Sequence, residues 1–508
     1  MTSEAGEAAL WTAGRQERSG SRSFLTGRRV LFLLFAYFAL QVVIRVAVSP
    51  SADLDESEQF IFCQKLSWGY GSEPPLYTWI QWPVCALLGQ TVLALSLVKN
   101  ALMFCTCCFI YGSARRIAGS ESCGSAAALS LFFLPQFAWE SQRDLTHSVL
   151  SATLAAATLY SLVRLHRERK LSWYLIFGAC AGLGFISKYN YIFWLVGLVL
   201  AALSLPQFRE SVLDKRMLLS LLICLVIFLP NGLWMLENRE LALRTASKLE
   251  IQEALSYGHA VARATWNIVV AVVSFLGPLA LIYWFIFVRG RPKSARNASH
   301  ANAVYVALLW RTLLVIGILL VLLALCFRAT GFRVRWFQPI LICAPVLAVA
   351  LAQDRIDRER LKWIGRLSFA VMLLVMVIMP VRVIFAEALG REQPLNLPYA
   401  ELASQIRPVL PSSALIVTES RVLAGNLHAT LREKTVVTPE LVPLFQNGEQ
   451  HIVMVWDARR GELPPERMLA WARGSATLDP RQVKPEYFSA PCKYFSRRQM
   501  RLGLMQVK

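Results

Sequence analysis

Apolar residues in this chain gather in long runs, separated by short polar or basic connections. The runs are roughly 17 to 25 residues long, the length a helix needs to cross a hydrocarbon layer about 30 Å thick. They lie near residues 30–48, 91–112, 124–139, 145–163, 173–187, 190–204, 217–236, 264–288, 304–326, 337–352 and 367–387. The pattern predicts an all-α polytopic membrane protein with about eleven transmembrane helices. Past the last run the pattern changes. Residues 388–508 are more polar, and Pro394, Pro398, Pro408, Pro411 and Pro439 punctuate short apolar stretches. There ALIVTES at 414–420 and HIVMVWDA at 451–458 read as buried strands and YAELASQI at 399–406 as a helix, which predicts a soluble C-terminal α/β domain. The chain thus divides into a tail over 1–29, a membrane domain over 30–387 and the C-terminal domain over 388–508.

Composition supports this division. With 56% hydrophobic residues and a mean hydropathy of +0.45, the chain carries more apolar surface than one soluble core can bury. Basic residues orient it, because Lys and Arg are retained on the cytoplasmic side during insertion. With the tail inside, Arg28 and Arg29, Arg115 and Arg116, Arg164 to Lys170, Arg209 to Arg216, Arg289 to Arg296 and Arg355 to Arg366 all fall on the cytoplasmic face. Eleven crossings then place the C-terminal domain outside. A net charge of +20, spread over alternate loops, is the footprint of insertion and implies no nucleic-acid partner. The first run reads as an uncleaved anchor, since the polar segment before it is long for a signal peptide. Most of the eleven cysteines lie within runs, and Cys105, Cys107 and Cys108 lack metal-ligand spacing. Only Cys63 and Cys492 read as exposed on the outer side, with their pairing open. His428 and His451 read as surface or packing residues.

The outer connections carry the unusual chemistry. Asp53, Asp55, Glu56 and Glu58 follow the first run directly; four acids also suit a hydrated helix start. The stretch WGYGSEPPLYTW at 68–79 cannot continue a helix through Pro74 and Pro75 and suits an interfacial, ligand-shaping loop. A second outer turn, WESQRDLTH, holds Trp139, Glu140, Arg143, Asp144 and His147. In a third, SKYNY, Lys188 stands where two apolar runs reverse, a place where a lysine can also simply snorkel to the interface. A fourth, FRATGFRVRW, sets Arg328, Arg333 and Arg335 on the outer side, against the positive-inside trend. Carboxylates and cations on one face fit group transfer from a lipid-linked phosphate, with cations holding the phosphate and a carboxylate taking a proton from the attacking hydroxyl.

The set DESEQ at 55–59, WGYGSEPPLYTW, PQFAWESQRDLTHSVL at 135–150, GLGFISKYNY at 182–191 and RWFQP at 335–339 resembles the polyprenyl-phosphate-sugar-dependent glycosyltransferases of the GT-C fold. That group includes protein O-mannosyltransferases, aminoarabinose transferases and rhizobial galacturonosyltransferases. The resemblance covers most of the membrane part. It implies that Asp55 is the catalytic carboxylate, assisted or positioned by Glu56, and that Asp144 is the second acid. It also implies that Lys188, Arg143 and Arg335 meet the lipid phosphate, and that Pro74, Pro75 and Tyr77 shape the cavity wall. Glu73 and His147 complete the candidate substrate site. Inversion by a single displacement, with polyprenyl phosphate as leaving group, is implied as well. One departure stands out. Aminoarabinose transferases carry an acid and a lysine before the paired prolines, whereas Ser72 and Glu73 stand here, so no metal and no cofactor is assigned, although Glu73 and His259 could meet. The segment from Glu237 to Arg263 has the mixed composition of a mobile cover.

Other classes share parts of this pattern. A transporter would use the charged residues within runs, Arg45, Lys99 and Arg311. A ligase of lipid-linked oligosaccharides would share the scaffold, and a non-enzymatic envelope assembly protein would not need the acids and cations on one face. The expectation is a membrane glycosyltransferase of the bacterial inner membrane with a periplasmic active site. It would move one sugar from a polyprenyl-phosphate donor to an envelope glycolipid such as lipopolysaccharide or lipid A. The outer arginines tilt the sugar toward an acidic one.

Overall fold

The computed structural model describes residues 27–242, 250–251, 256–287, 300–445, 451–475 and 483–507. The tail over 1–26 and the middle of the expected cover, 243–249 and 252–255, lie outside the described residues. The chain is mostly helical. Among the described residues seven helices are long and apolar enough to cross a membrane, and nine if each of two bent pairs is one span. The run at 124–139 is not one helix: it begins as Glu121–Ser130 and continues through a 3-10 turn and a π turn as far as Glu140. The run at 173–187 forms the short helix Leu171–Phe185.

From the N-terminal side the elements that matter are α1 (Arg28–Val48), α2 (Leu54–Phe62), α3 (Leu76–Leu88) and α4 (Val92–Ala118). They are followed by α5 (His147–Glu168), α6 (Leu171–Phe185), α7 (Tyr191–Ser204), α8 (Met217–Glu237) and α9 (Arg358–Ile384). Lipid tails are as apolar as the helices, so close packing and hydrogen bonds, rather than exclusion from water, hold such a bundle together. Small residues do this work. Helix α5 is buried along almost its whole length, with Ser148, Ser151, Ala152, Ala155 and Ala156 against its neighbours. Gly178 and Gly182 bring α6 onto the backbone of α8 so closely that a Cβ at Gly178 would stand 2.4 Å from the Ser220 carbonyl oxygen.

At one end of the bundle basic residues meet each other and their partners. Arg115 pairs with Glu121 at 3.1 Å, Arg169 with Glu210 at 3.0 Å, and the Arg216 guanidinium donates to the Arg169 carbonyl. At another, α2 is set across the mouths of α1 and α4. Asp53 caps it, and Glu56, three residues on, returns a carboxylate to the Asp53 backbone N–H in a capping box. The same carboxylate accepts from Arg45 of α1 at 2.6 Å and Lys99 of α4 at 2.9 Å, with the Glu56 and Lys99 side chains all but sealed from solvent. Arg45 and Lys99, the charged residues of the transporter alternative, are thus committed to a structural carboxylate. Arg311 donates to Ser204 at 2.8 and 2.9 Å.

Residues 399–507 build a five-stranded mixed sheet in the order β2-β1-β3-β5-β4. Its strands are β1 (Ala414–Thr418), β2 (Thr435–Val437), β3 (His451–Asp457), β4 (Glu486–Cys492) and β5 (Phe495–Gln506). β1 runs parallel to β2 and β3; β5 is antiparallel to both β3 and β4. Helix Tyr399–Ile406 and strands β1 and β3 fall where the pattern placed them, whereas β4 and β5, the latter rich in Arg and Gln, carry no apolar run. His428 is buried, hydrogen-bonded to Gln90 at 3.0 Å and to the Lys434 carbonyl at 3.1 Å; burial pulls its imidazole down to about 4. His451 is exposed.

The apolar core of the sheet takes in Ile61, Phe62 and Tyr70 from the first outer segment. Helix α10 (Arg421–Thr430) lies on α2. Gly425 meets the Ser57 carbonyl, and Asn426 bonds both the N–H and the C=O of Ala52, at 2.7 and 3.0 Å, together with Ser57 Oγ at 3.0 Å.

Two outcomes follow. Glu56→Gln leaves two buried cations on a neutral amide, so thermal unfolding in detergent should show a loss of about 3–5 kcal/mol, partly recovered by adding Lys99→Met. A Cβ at Gly425 would stand 2.1 Å from the Ser57 oxygen, so Gly425→Val should separate α10 from α2 and expose the C-terminal part to limited proteolysis while the helical part stays in the membrane.

Candidate active site

Immediately above the bundle a cavity of about 620 Å³ opens between α2, the turn after α6, the 334–337 turn and α10. Its lining combines apolar side chains, Phe185, Ile192, Phe193, Phe228 and Leu323, with polar ones, Asp55, Glu58, Glu73, His147, Lys188 and Arg335. The C-terminal part contributes Arg421. Such a mixed surface can hold an apolar chain and a charged group at the same time.

Helix α2 explains where its acids point. Its first turn is held by Glu56 and by the contact of Gly425 with Ser57, which turns Asp55 and Glu58, three apart, to the cavity face. Asp55 donates its backbone N–H to Asp144 Oδ1 at 2.8 Å. Burial lifts the Asp55 carboxyl well above the ordinary carboxylate range, reinforced by the charges of Asp144 and Glu58 and opposed by Arg335 and Lys188. Asp144 rises to about 7 through burial and the nearby Asp53 and Glu56 carboxylates, moderated by the Asp55 N–H and Lys99. Glu56 goes the other way. Burial alone would raise it, but the charges of Arg45 and Lys99 hold it well below the usual range. Three neighbouring carboxyls therefore have different tasks set by their surroundings.

Other residues are positioned around this group. Lys188 bonds Ser148 Oγ at the start of α5. His147 shares a hydrogen bond with Gln59 at 3.1 Å, and Gln59 accepts from Thr78 at 3.0 Å, so α2, α3 and α5 are joined beneath the cavity floor. Asn190 donates to the Trp336 carbonyl at 2.6 Å, tying the lysine turn to the arginine turn. Arg421 pairs with Glu58 at 2.7 Å and Glu440 at 3.5 Å.

Five candidates named from the chain line the cavity: Asp55, Glu73, His147, Lys188 and Arg335. Four do not. Glu56 faces α1 and α4, because two cations claim both its oxygens. Asp144 stands behind Asp55 and reaches it through the backbone. Arg143 turns to Glu140, one helical turn back, at 2.8 Å and does not line the cavity. Tyr77 lies buried beneath the site with its ring 5.4 Å from that of His147, and Pro74 and Pro75 are buried with it. Of the three outer arginines only Arg335 enters the cavity; Arg333 pairs with Glu250 at 2.8 Å and Arg328 covers the Tyr257 ring. His259 is exposed and bonded to Ser256 at 2.6 Å rather than set beside Glu73. Among the described residues no group of three or more His, Cys, Asp or Glu side chains is placed to hold a metal ion. Arg421 had no signal in the chain, since it lies beyond the last apolar run with no motif around it.

Residues 72–234 match the family described as dolichyl-phosphate-mannose-protein mannosyltransferase. Among curated proteins, the lipopolysaccharide core galacturonosyltransferase RgtB of Rhizobium johnstonii is 32% identical over 458 residues, 88% of this chain and 91% of its own length. RgtA of the same organism, also a lipopolysaccharide core galacturonosyltransferase, is 29% identical, over 84% of this chain and 86% of its own. Among solved structures, ArnT from Cupriavidus metallidurans bound to undecaprenyl phosphate superposes with a TM-score of 0.58 at 15% identity, over 93% of this chain and 97% of that one, which establishes a common fold. A fold shared with ArnT, together with near full-length likeness to RgtB, means that this chain is a multi-pass membrane glycosyltransferase of the GT-C superfamily, belonging to the family of the Rhizobium galacturonosyltransferases.

Proposed function

We propose that this enzyme transfers one uronic acid sugar from a polyprenyl-phosphate donor to the core of lipopolysaccharide, at the outer face of the bacterial inner membrane. The observation that carries the reading is the cavity that Asp55, with its raised affinity for a proton, lines together with Lys188, Arg335 and several apolar side chains. The polyprenyl chain lies along Phe185, Phe193, Phe228 and Leu323, and its phosphate meets Lys188 and Arg335 through charge-assisted hydrogen bonds. The acceptor hydroxyl attacks the anomeric carbon as the bond to the phosphate oxygen breaks. Asp55 takes the proton from that hydroxyl, and polyprenyl phosphate leaves with both electrons of the broken bond. One displacement inverts the anomeric centre. Asp144 acts as a positioning residue, orienting Asp55 and adding negative charge that keeps it basic.

The sugar and acceptor follow the curated relatives, which are named as galacturonosyltransferases of the lipopolysaccharide core. An odd number of crossings with the N-terminus inside is supported by the basic residues that pair around Arg115, Arg169 and Arg216. On this topology the residues beyond the last span form a periplasmic domain.

Deleting the gene and complementing with wild type or Asp55→Asn tests the reading by mass spectrometry of the envelope glycolipids. A single hexuronic acid should vanish from the core and return with wild type alone; full restoration by Asp55→Asn would remove the proposed base. Acid dependence is a second outcome. Asp55 must be deprotonated, so kcat/KM should fall as pH drops through a pKa lying well above the ordinary carboxylate range. Asp144→Asn should move that limb to lower pH by removing a like charge. Stability has the opposite sign. Between the ordinary carboxylate pKa and the raised one, the folded enzyme holds protons that the unfolded chain releases, so stability falls as pH rises through this window. Asp144→Asn should therefore raise the thermal midpoint at pH 8 and leave it little changed at pH 4.

A further inference from the structure

Two cysteines that the site does not use stand together on its supporting elements. Cys63 ends α2 and Cys85 lies in the last turn of α3, and both are buried in one small cluster with Ala94. The two side chains pack against one another in that cluster, and the Gln81 amide donates to Cys85 Sγ at 3.4 Å. Both are free thiols in this structure. Cys492, the other cysteine expected on the outer side, packs in the separate core of the C-terminal sheet.

We propose that Cys63 and Cys85 are joined by a disulfide in the mature enzyme, as a modification site that braces the catalytic helix. The proposal rests on the outward placement of the site, because only an oxidising compartment sustains such a bond. The segment it would close, residues 64–84, contains Ser72 and Glu73 of the cavity wall and the paired prolines behind them. It would also join α2, which carries Asp55, to α3, which carries Tyr77 and Thr78. The neighbouring Cys63 thiol, with help from Gln81 and the charge of Arg432, favours the thiolate of Cys85, which makes Cys85 the attacking sulfur. The oxidant is a protein disulfide of the compartment. The Cys85 thiolate attacks one of its sulfurs and expels the other as a thiolate. Cys63, losing its proton, then attacks the Cys85 sulfur of the mixed disulfide and expels the second. The two cysteines lose two electrons and two protons, and the oxidant leaves as a dithiol. Oxidation precedes the final packing of α2, while both sulfurs are still accessible.

The test uses the full-length enzyme. Cells are quenched in acid, the protein is denatured in N-ethylmaleimide without reductant, and the digest is searched for a peptide joining Cys63 to Cys85. The expected result is the linked peptide, two hydrogens lighter than its parts, with neither sulfur alkylated. Alkylation of both overturns the proposal, and a second arm then says which premise failed. Reduced, purified enzyme is warmed with oxidised glutathione to just below its thermal midpoint, where opening of α2 gives the oxidant access to both sulfurs. If the link forms there, the pair is sound and the outward placement is at fault; if it does not, the two thiols are not within bonding reach. Reductant should also lower the thermal midpoint of the wild type by about 5 °C or more. The same treatment should leave the Cys63→Ser, Cys85→Ser double variant unmoved, and an equal shift in both would count against the bond.

Discussion

Glu56 is the carboxylate on which the geometry of this enzyme turns. Its two oxygens are shared among Arg45, Lys99 and the Asp53 N–H, so one side chain fixes α2 to two membrane helices and closes the helix start. Two cations and one carboxylate, taken out of water together, tolerate little change of position, because any gap leaves a charge with poor solvation. Asp55 is the neighbour of that fixed point. Its place in the cavity is a consequence of where Glu56 is held, and the strongly ionised carboxyl beside it costs the active site nothing in nucleophilic or basic function.

Around this anchor the cavity draws on different elements. The long helices supply apolar side chains that suit a hydrocarbon chain, and charge comes from α2, α10 and the turns that carry Glu73, Lys188 and Arg335. Those turns are tied to one another rather than to solvent: Asn190 to Trp336, His147 to Gln59, Lys188 to Ser148. Preorganised groups of this kind need not reorganise when charge develops beside them. Burial without full neutralisation then keeps Asp55 and Asp144 protonated more readily than ordinary carboxylates, the condition a base needs near neutral pH.

The C-terminal sheet is built into the same design. Asn426 satisfies both backbone groups of Ala52, and Gly425 allows α10 to lie directly on the Ser57 carbonyl. Gln64 exchanges hydrogen bonds with Val436 at 2.7 and 3.0 Å, extending the contact along the first outer segment to β2. With Arg421 in the cavity wall, α2 is held by ion pairs to α1 and α4 and by its packing against α10.

Much of this was legible in the chain. Long apolar runs fixed the membrane class, since nothing else can bury them, and their length set the helices apart from the punctuated C-terminal region. Charged residues in otherwise apolar or interfacial places marked Asp55, Lys188, Arg335 and Glu73, because such charges persist only where something uses them. The order of those segments along the chain carried the family. What the chain could not disclose was direction. Adjacent residues on a helix point about 100° apart, so Asp55 and Glu56 read alike as acids while one faces the cavity and the other two buried cations. Arg143 was likewise indistinguishable from a phosphate ligand until Glu140 was seen to take its guanidinium. Long-range partners were equally hidden: Arg421 reaches Glu58 across 363 positions of sequence, and Cys63 meets Cys85 rather than Cys492. Sequence determined which segments enter the membrane and which residue types the chemistry draws on. Only the tertiary structure decided which of two neighbouring carboxylates faces the cavity and which holds the helix, because that choice depends on charges brought together from distant parts of the chain.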